Sequence, residues 1–413
     1  MAKHDVVVGL DVGTTKVTCI IGEVASDNKI DIVGKGKSWS CGVKKGVVVN
    51  IDETVKSISR AVSEAERMAG YKINSVYVGV TGEHVSSINS HGVITVANGN
   101  KEIISEDVKR AIEAAKIISI PSEREVIHVI PGDFTIDGQS GVKNPVGMSG
   151  SRLSVDTHIV TGIVTFLNNV NKCVVSAGLE VEDNGLVLEP LASSLAVLQD
   201  AEKELGTLLI DIGGGTTDIA IFRQGYIWHT AALPVGGNHI TYDIAVGFRL
   251  SLEEAERIKM NYGVASPLLI ENEEIFQVTP LSKSIAETVT TQQLTDMIFP
   301  RVEEMFALVK TEINRVLTRD MTLAAVTLTG GAALLKGIDK VAEEVLELPV
   351  RVGLPTNING MTDTVSNPIY STGVGLVLYG AKMRQELKAM NRRETLWNRG
   401  LLGKFQSWWK EMF

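Results

Sequence analysis

Apolar and polar positions along the chain repeat one arrangement twice. An apolar run leads to Asp-x-Gly, then Thr-Thr, then a second apolar run, first as VVVGLDVGTTKVTCIIGEV from Val6 to Val24 and again as TLLIDIGGGTTDIAIFRQG from Thr207 to Gly225. β-Branched runs around a Gly/Thr turn predict β-hairpins. A hairpin duplicated in the two halves of the chain predicts two related domains facing one another. After the first copy, Val55, Ile58, Ala61, Val62, Ala65 and Met68 recur at helical spacing within Asp52 to Ala69, and Asn74 to Thr81 alternates as a strand. The fold class is therefore α/β. From Gly82 to about Gly162 strands surround one helix, Ser105 to Ile118, with Ser105 as the expected N-cap and Glu106 and Asp107 favourable in its first turn. This stretch is expected to form a small inserted subdomain. Helical texture resumes from about Tyr226 to Met321, with a long periodic stretch at Thr291 to Leu317. A strand, two glycines and a helix are expected over Ala324 to Gly337, and a small-residue helix over Ser371 to Lys382.

With 413 residues, 44% hydrophobic and 22% charged, the chain has material for a folded protein of two or more domains. Its net charge of −9 argues against nucleic acid as a partner, because neutralising a phosphate backbone requires a basic face. Cys19, Cys41 and Cys173 are odd in number and lack metal-ligand spacing, so reduced, buried thiols are expected. Neither a signal-peptide core nor a run of roughly 20 apolar residues occurs, which predicts a cytoplasmic protein whose membrane contact is peripheral.

A tight Gly/Thr turn can hold phosphates through converging backbone N–H groups. Both hairpin turns have this composition: Gly13, Thr14, Thr15 and Lys16 in the first, Gly213, Gly214, Gly215, Thr216 and Thr217 in the second. Asp11 and Asp211 end the first strand of each hairpin, where two carboxylates would hold a hydrated Mg2+ between them. Lys16 adds a point charge for terminal phosphates. A single copy would read as an ordinary Asp-Gly turn, but two copies, with Thr329-Gly330-Gly331 ending another apolar strand, predict phosphate binding. The pattern is neither GxxxxGK[ST] nor GxGxxG.

The C-terminus reverses the charge. From Lys382 onward there are eight Lys/Arg against three Asp/Glu. On a helical projection Trp397, Leu401, Leu402, Phe405, Trp408, Trp409, Met412 and Phe413 fall within an arc of about 160°, while Lys404 and Lys410 lie on the opposite side. Basic residues and interfacial tryptophans predict a helix lying in the headgroup plane of an anionic bilayer, too short and too charged to span it. The alternative is a terminal helix docked on the protein's own core. The polar linker ahead of it, Lys388 to Thr395, favours the membrane.

Five segments resemble, in order, the motifs of the actin, Hsp70 and sugar-kinase superfamily: DVGTTKV and DIGGGTTDIAI its phosphate loops, LEPLASSLAVL and STGVGLVLYG its connecting segments, and TLTGGAALLKGI its adenosine segment. The resemblance implies ATP in a cleft between two domains, with Gly330 and Gly331 beside the nucleoside. Ala255-Glu256-Arg257-Ile258-Lys259 matches the family's AExxK helix, which implies Glu256 and Lys259 at the adenosine, and Gly236-Gly237 matches its second-domain turn. Glu189 matches by position a polar or acidic residue before the connecting segment, a candidate for activating water, with slow ATP hydrolysis at most.

Within the superfamily, HVIPGDFTIDGQSGVKNPVGMSG followed by HIVTG resembles the subdomain peculiar to the FtsA family of cell-division proteins. That resemblance implies an actin-like fold with an SHS2-like subdomain in place of the usual small one. Its expected division is 1–83 with 163–195 and 360–387 as the first domain, 84–162 inserted, 196–225 with 310–359 as the second domain, 226–309 its smaller lobe, 388–396 a linker and 397–413 the membrane helix. It further implies filaments of the chain itself, anchoring of the FtsZ C-terminal tail on the smaller lobe with Arg301 as a candidate contact, recruitment of other division proteins through the insert, and a place on the cytoplasmic face of the inner membrane at the division site. A pilus-assembly ATP-binding scaffold is the nearest alternative and a sugar kinase a more distant one.

Overall fold

The computed structural model describes residues 5–388 apart from 26–28, 98, 282–284 and 318–320. The amphipathic segment from Trp397 to Phe413 lies outside the described residues.

Both predicted hairpins form, and each nucleates a sheet of the same topology. In the first, Val6–Val12 pairs antiparallel with Lys16–Val24, which pairs antiparallel with Ile30–Trp39. On the other side Val6–Val12 takes the parallel strand Ser75–Val80, which takes Glu180–Leu188. In the second sheet Thr207–Ile212 and Thr217–Arg223 form the hairpin, Tyr226–Leu233 its antiparallel neighbour, and Ala325–Thr329 then Val350–Val352 the parallel ones. All six residues of Thr207–Ile212 are buried, as expected of a central strand covered on both faces. Two helices lie between the sheets, Glu189–Val197 against the second and residues 371–388 against the first, touching where a Cβ at Gly375 would overlap Ala192 O. Val7 and Ile20 of the first sheet, Val374, Leu376 and Val377 of the last helix, and Leu209 and Phe222 of the second sheet share one core.

The insert enters between Val80 and Val164 of the first domain, where the second domain passes from Thr329 to Ile338 through a short 3-10 turn. Its antiparallel sheet runs Val85–Thr95, Arg152–Ile163, Arg124–Ile136, Gln139–Val142. The helix Ser105–Ala115 covers a core of Ile103, Phe134 and Leu153. Ser105 is not its N-cap. Extended Ile104 takes that place, and the Asp107 carboxylate accepts the Ile104 N–H at 3.1 Å, which satisfies the helix end from inside its first turn.

Three further expectations are corrected. Cys41 is exposed, whereas Cys19 and Cys173 are buried. After Gly330-Gly331 the chain makes only a 3-10 turn, Gly331–Leu334, and the regular helix begins at Ile338 beyond the left-handed Gly337. Tyr226–Leu233 belongs to the sheet of the second domain and not to a separate lobe, and the helix Thr291–Val316 runs unbroken across position 310.

Buried histidines line the junction of insert and body. His128 Nε2 accepts the Leu188 N–H at 3.0 Å, and His158 lies 3.0 Å from the Thr230 hydroxyl of the second domain and 2.7 Å from Asn89 Oδ1. Burial pushes His84 and His128 down to about 4 and His158 to about 3. A depressed histidine is neutral in the fold, so the stability it confers is present above the unfolded pKa of about 6.5 and is lost as pH falls toward its folded value. For His128 the expected loss at pH 5 relative to pH 7 is about 2 kcal/mol. A His128→Gln variant keeps an acceptor for Leu188 without titrating. Urea melts at the two pH values should show that share of the acid loss gone, and an unchanged pH dependence would refute the assignment.

Candidate nucleotide site

The two hairpin turns close identically. Gly13 N–H donates to Lys16 O at 3.0 Å and Gly213 N–H to Thr216 O at 2.9 Å. Cross-strand register then places Thr18 opposite Asp11 and, at the equivalent position, Asp218 opposite Asp211.

Folding brings the turns face to face. A Cβ at Gly214 would overlap the Thr15 side chain, and one at Gly215 would lie 2.7 Å from Thr14 Oγ1. Thr14 Oγ1 in turn accepts the Gly46 N–H at 3.1 Å. Gly236 sits beneath the second turn, where a Cβ would lie 2.7 Å from Gly213 O, and the N–H groups of Gly237 and Asn238 donate to Gly213 O and Gly214 O at 2.9 and 2.8 Å. The helix Gly237–Phe248 thus starts at the turn, directing its positive end toward it. Lys259 Nζ donates to Gly237 O at 3.1 Å and pairs with Glu256 at 2.7 Å, so both AExxK residues adjoin this helix start. Gly330 also belongs here. It has φ +86°, and a Cβ would overlap Asp211 Oδ1.

Four buried carboxylates surround this centre: Asp11, Asp211, Asp218 and Glu189. Lys16 Nζ bonds Asp11 Oδ2 at 2.7 Å, with Thr18 Oγ1 donating to the same oxygen at 3.3 Å. Thr372 Oγ1 donates to Asp211 Oδ2 at 3.1 Å, and the Thr81 hydroxyl donates to Asp218. Burial pushes Asp211 up to about 6 and Asp218 up to about 7, with neighbouring carboxylates adding to the rise. Burial, then Asp11, Asp218 and Asp211, raise Glu189 well above the carboxylate range. Burial opposes the charge of Lys16, yet Asp11, Asp211 and Glu189 hold its pKa above the ordinary value. One lysine against four carboxylates leaves an excess of negative charge that a cation would relieve. Among the described residues no three metal-ligating side chains converge as a direct cage. The carboxylates are hard oxygen donors of the kind that suits Mg2+, an ion that keeps several of its waters.

The structure brings together Asp11, Gly13, Thr14, Thr15, Lys16, Glu189, Asp211, the 213–217 turn, Gly236, Gly237, Glu256, Lys259 and Gly330, with Gly331 next in chain. Arg301 stands elsewhere: its guanidinium is held by Asp243 at 2.6 and 3.1 Å and by Glu304. Asp218, Thr81 and Thr372 were missed. Alignment of the two turns in register would have found Asp218, since it replaces Thr18 opposite the first aspartate of its hairpin.

Family models describing cell division protein FtsA and the SHS2 domain inserted in FtsA match residues 208–375 and 82–161. The chain is 44% identical over 385 residues to cell division protein FtsA of Pseudomonas aeruginosa, covering 93% of this chain and 91% of that protein. It is 41% identical to the protein of that name from Neisseria meningitidis, over 98% of both chains. Among solved structures it is similar to one titled PilM-PilN type IV pilus biogenesis complex (TM-score 0.64, 17% identity, 91% of this chain and 98% of that one). It is also similar to MreB5 of Spiroplasma citri bound to ADP (TM-score 0.57, 15% identity, 93% and 98%). These structural likenesses show the actin-like fold.

Proposed function

Because this chain belongs to the FtsA family of cell division proteins, with its actin-like fold and inserted SHS2 domain, we propose that it is an ATP-binding scaffold that assembles with itself beneath the cell membrane, holds the FtsZ tail there and recruits later division proteins. The observation that carries the nucleotide reading is the pair of opposed turns with identical closure and four buried carboxylates between them. Backbone N–H groups of 14–16 and 214–216 would cradle phosphates, with the Gly13 and Gly213 N–H groups closing the turns, Lys16 would meet the terminal phosphate, and Gly236-Gly237 would bring a helix start against the chain of charges. A bound Mg2+ would supply charge neutralisation between the phosphates and these carboxylates.

Slow turnover is expected. Burial and the neighbouring carboxylates raise Glu189 well above the ordinary carboxylate range, which disfavours the base form that would order and deprotonate water. The PilM resemblance in fold leaves the pilus-type scaffold as the second reading, but the length-wide identity to division proteins favours the first.

The membrane part of the proposal rests on the amphipathic pattern of Trp397 to Phe413. Among the described residues no helix is long and apolar enough to cross a membrane. One short helix binds a bilayer weakly, whereas a filament presenting many copies gains avidity, so assembly would control residence on the membrane. Co-sedimentation with anionic vesicles, with and without Mg-ATP, tests this. The full chain is expected to pellet with filaments visible by electron microscopy, and a Trp408→Glu, Trp409→Glu variant to stay in the supernatant. Equal pelleting of the two, or none, would refute the tether.

A further inference from the structure

Ile30–Trp39 is the last long strand of the first sheet, and among the described residues its outer side is paired at Asp31 and Ile32, with Asn359–Gly360. Among the described residues no strand pairs with that edge from Val33 to Trp39, although Lys35 Nζ donates to Thr364 O at 3.0 Å. The Lys37 N–H points outward and is taken by a side chain, Glu64 Oε2, at 2.8 Å. Because backbone groups alternate in an antiparallel pair, Lys35 and Trp39 face outward with Lys37. The helix Ile51–Ala69 lies directly against this strand, since a Cβ at Gly36 would overlap Ala61 O.

Between the edge and the helix runs an open groove of about 690 Å³, lined by Lys37, Trp39, Arg60, Ser63, Glu64 and Arg67 among others. Trp39 is 70% exposed. None of Lys37, Arg60 and Arg67 makes an ion pair or side-chain hydrogen bond among the described residues, in a chain of net charge −9. Three cations with no ion pair among the described residues, an exposed indole and an outward-facing ladder at Lys37 and Trp39 therefore share one groove. Edge strands are usually blunted or covered; here residues 361–364 lie along the edge at Ile32 and Lys35, and at Lys37 the Glu64 carboxylate takes the outward N–H.

We propose that this edge receives an extended acidic peptide from a partner protein, added as a strand with its carboxylates against Lys37, Arg60 and Arg67 and an apolar side chain on Trp39. Main-chain pairing would give affinity and alternate side chains specificity. The protein's own C-terminal segment is excluded by charge, since eight Lys/Arg against three Asp/Glu from Lys382 onward would repel the same cations. Glu64 acts as a plug that the incoming carbonyl displaces.

The test is an anisotropy titration of the full chain with a fluorescein-labelled eight-residue peptide of alternating Glu and Val, beside a peptide of equal charge with Pro at each Val. Arg60→Glu, Arg67→Glu is expected to weaken binding of the first peptide at least tenfold with an unchanged melting temperature, because both side chains are exposed. Glu64→Ala is expected to tighten it, and the proline peptide, which lacks every second N–H and is held to proline's φ, to bind at least tenfold more weakly. Equal binding of the two peptides, or indifference to the charge reversal, would overturn the proposal. So would a charge reversal that lowers pelleting with phosphatidylglycerol vesicles while sparing the peptide, which would make the patch a lipid site.

Discussion

Lys16→Met is expected to destabilise the nucleotide-free protein by about 3–5 kcal/mol at pH 7.5, the usual cost of removing one partner from a buried ion pair. Lys16 is largely buried (side chain 19% exposed), and its partner Asp11 almost wholly so. Without the lysine, Asp11, Asp211, Asp218 and Glu189 face one another with no positive group between them. The pH dependence identifies the cause. Asp211 and Asp218 already titrate near 6 and 7 through burial, above their unfolded value of 3.8. Groups raised in this way favour the fold below the unfolded pKa and lose that contribution as pH rises through the folded one. Removing Lys16 raises them further, so the deficit of the variant should shrink between pH 7.5 and 5.5 as the carboxylates take up protons. Urea melts of both proteins at the two pH values measure it. A deficit equal at both would mean that Lys16 contributes packing and not charge.

Gly330→Val is expected to weaken ATP binding about a hundredfold, the equivalent of about 2.7 kcal/mol. Two effects act together. Gly330 holds φ +86°, a conformation that a β-branched residue adopts only under strain. A Cβ there would also overlap Asp211 Oδ1 and approach Ile212 O to 2.6 Å, so the carboxylate and the strand end leading into the second turn must both move. Neighbouring Gly331 gives the control, because the nearest atom to its Cβ is Ile369 Cγ2 at 3.8 Å. Gly331→Ala should bind within a few-fold of the parent. Titration of a fluorescent ATP analogue would separate the two variants, and equal affinities would remove Gly330 from the site.

The resemblance of the hairpins to one another was legible because their making is local. β-Branched residues favour a pleated strand, glycine allows the tight turn, and register across a four-residue closure follows once the turn is set. Asp11, Lys16 and the 213–217 turn could be named for that reason. Ser105 misled because its residue type suits an N-cap, whereas Asp107 two residues on could accept the orphan N–H and moved the helix start back to Ile104. Arg301 was expected as a contact for a partner's tail; what the sequence did not show is that Asp243, 58 positions earlier on a helix that folding brings beside it, already holds its guanidinium.

By itself the sequence determined the α/β class, the duplicated hairpins, the insert and the amphipathic pattern of the C-terminal segment, which follow from periodicity and short-range residue choice, while the family came from the resemblance of its motifs. Only the tertiary structure decided which groups share the centre. Thr81 reaches Asp218 across 137 positions and Thr372 reaches Asp211 across 161. Their proximity depends on how the two sheets pack on the pair of helices between them, and the raised pKa values of Asp211, Asp218 and Glu189 arise from the water that this packing excludes. The open edge at Lys37 has the same origin. A strand can be read from its own residues, but whether a neighbour covers it depends on where the rest of the chain goes.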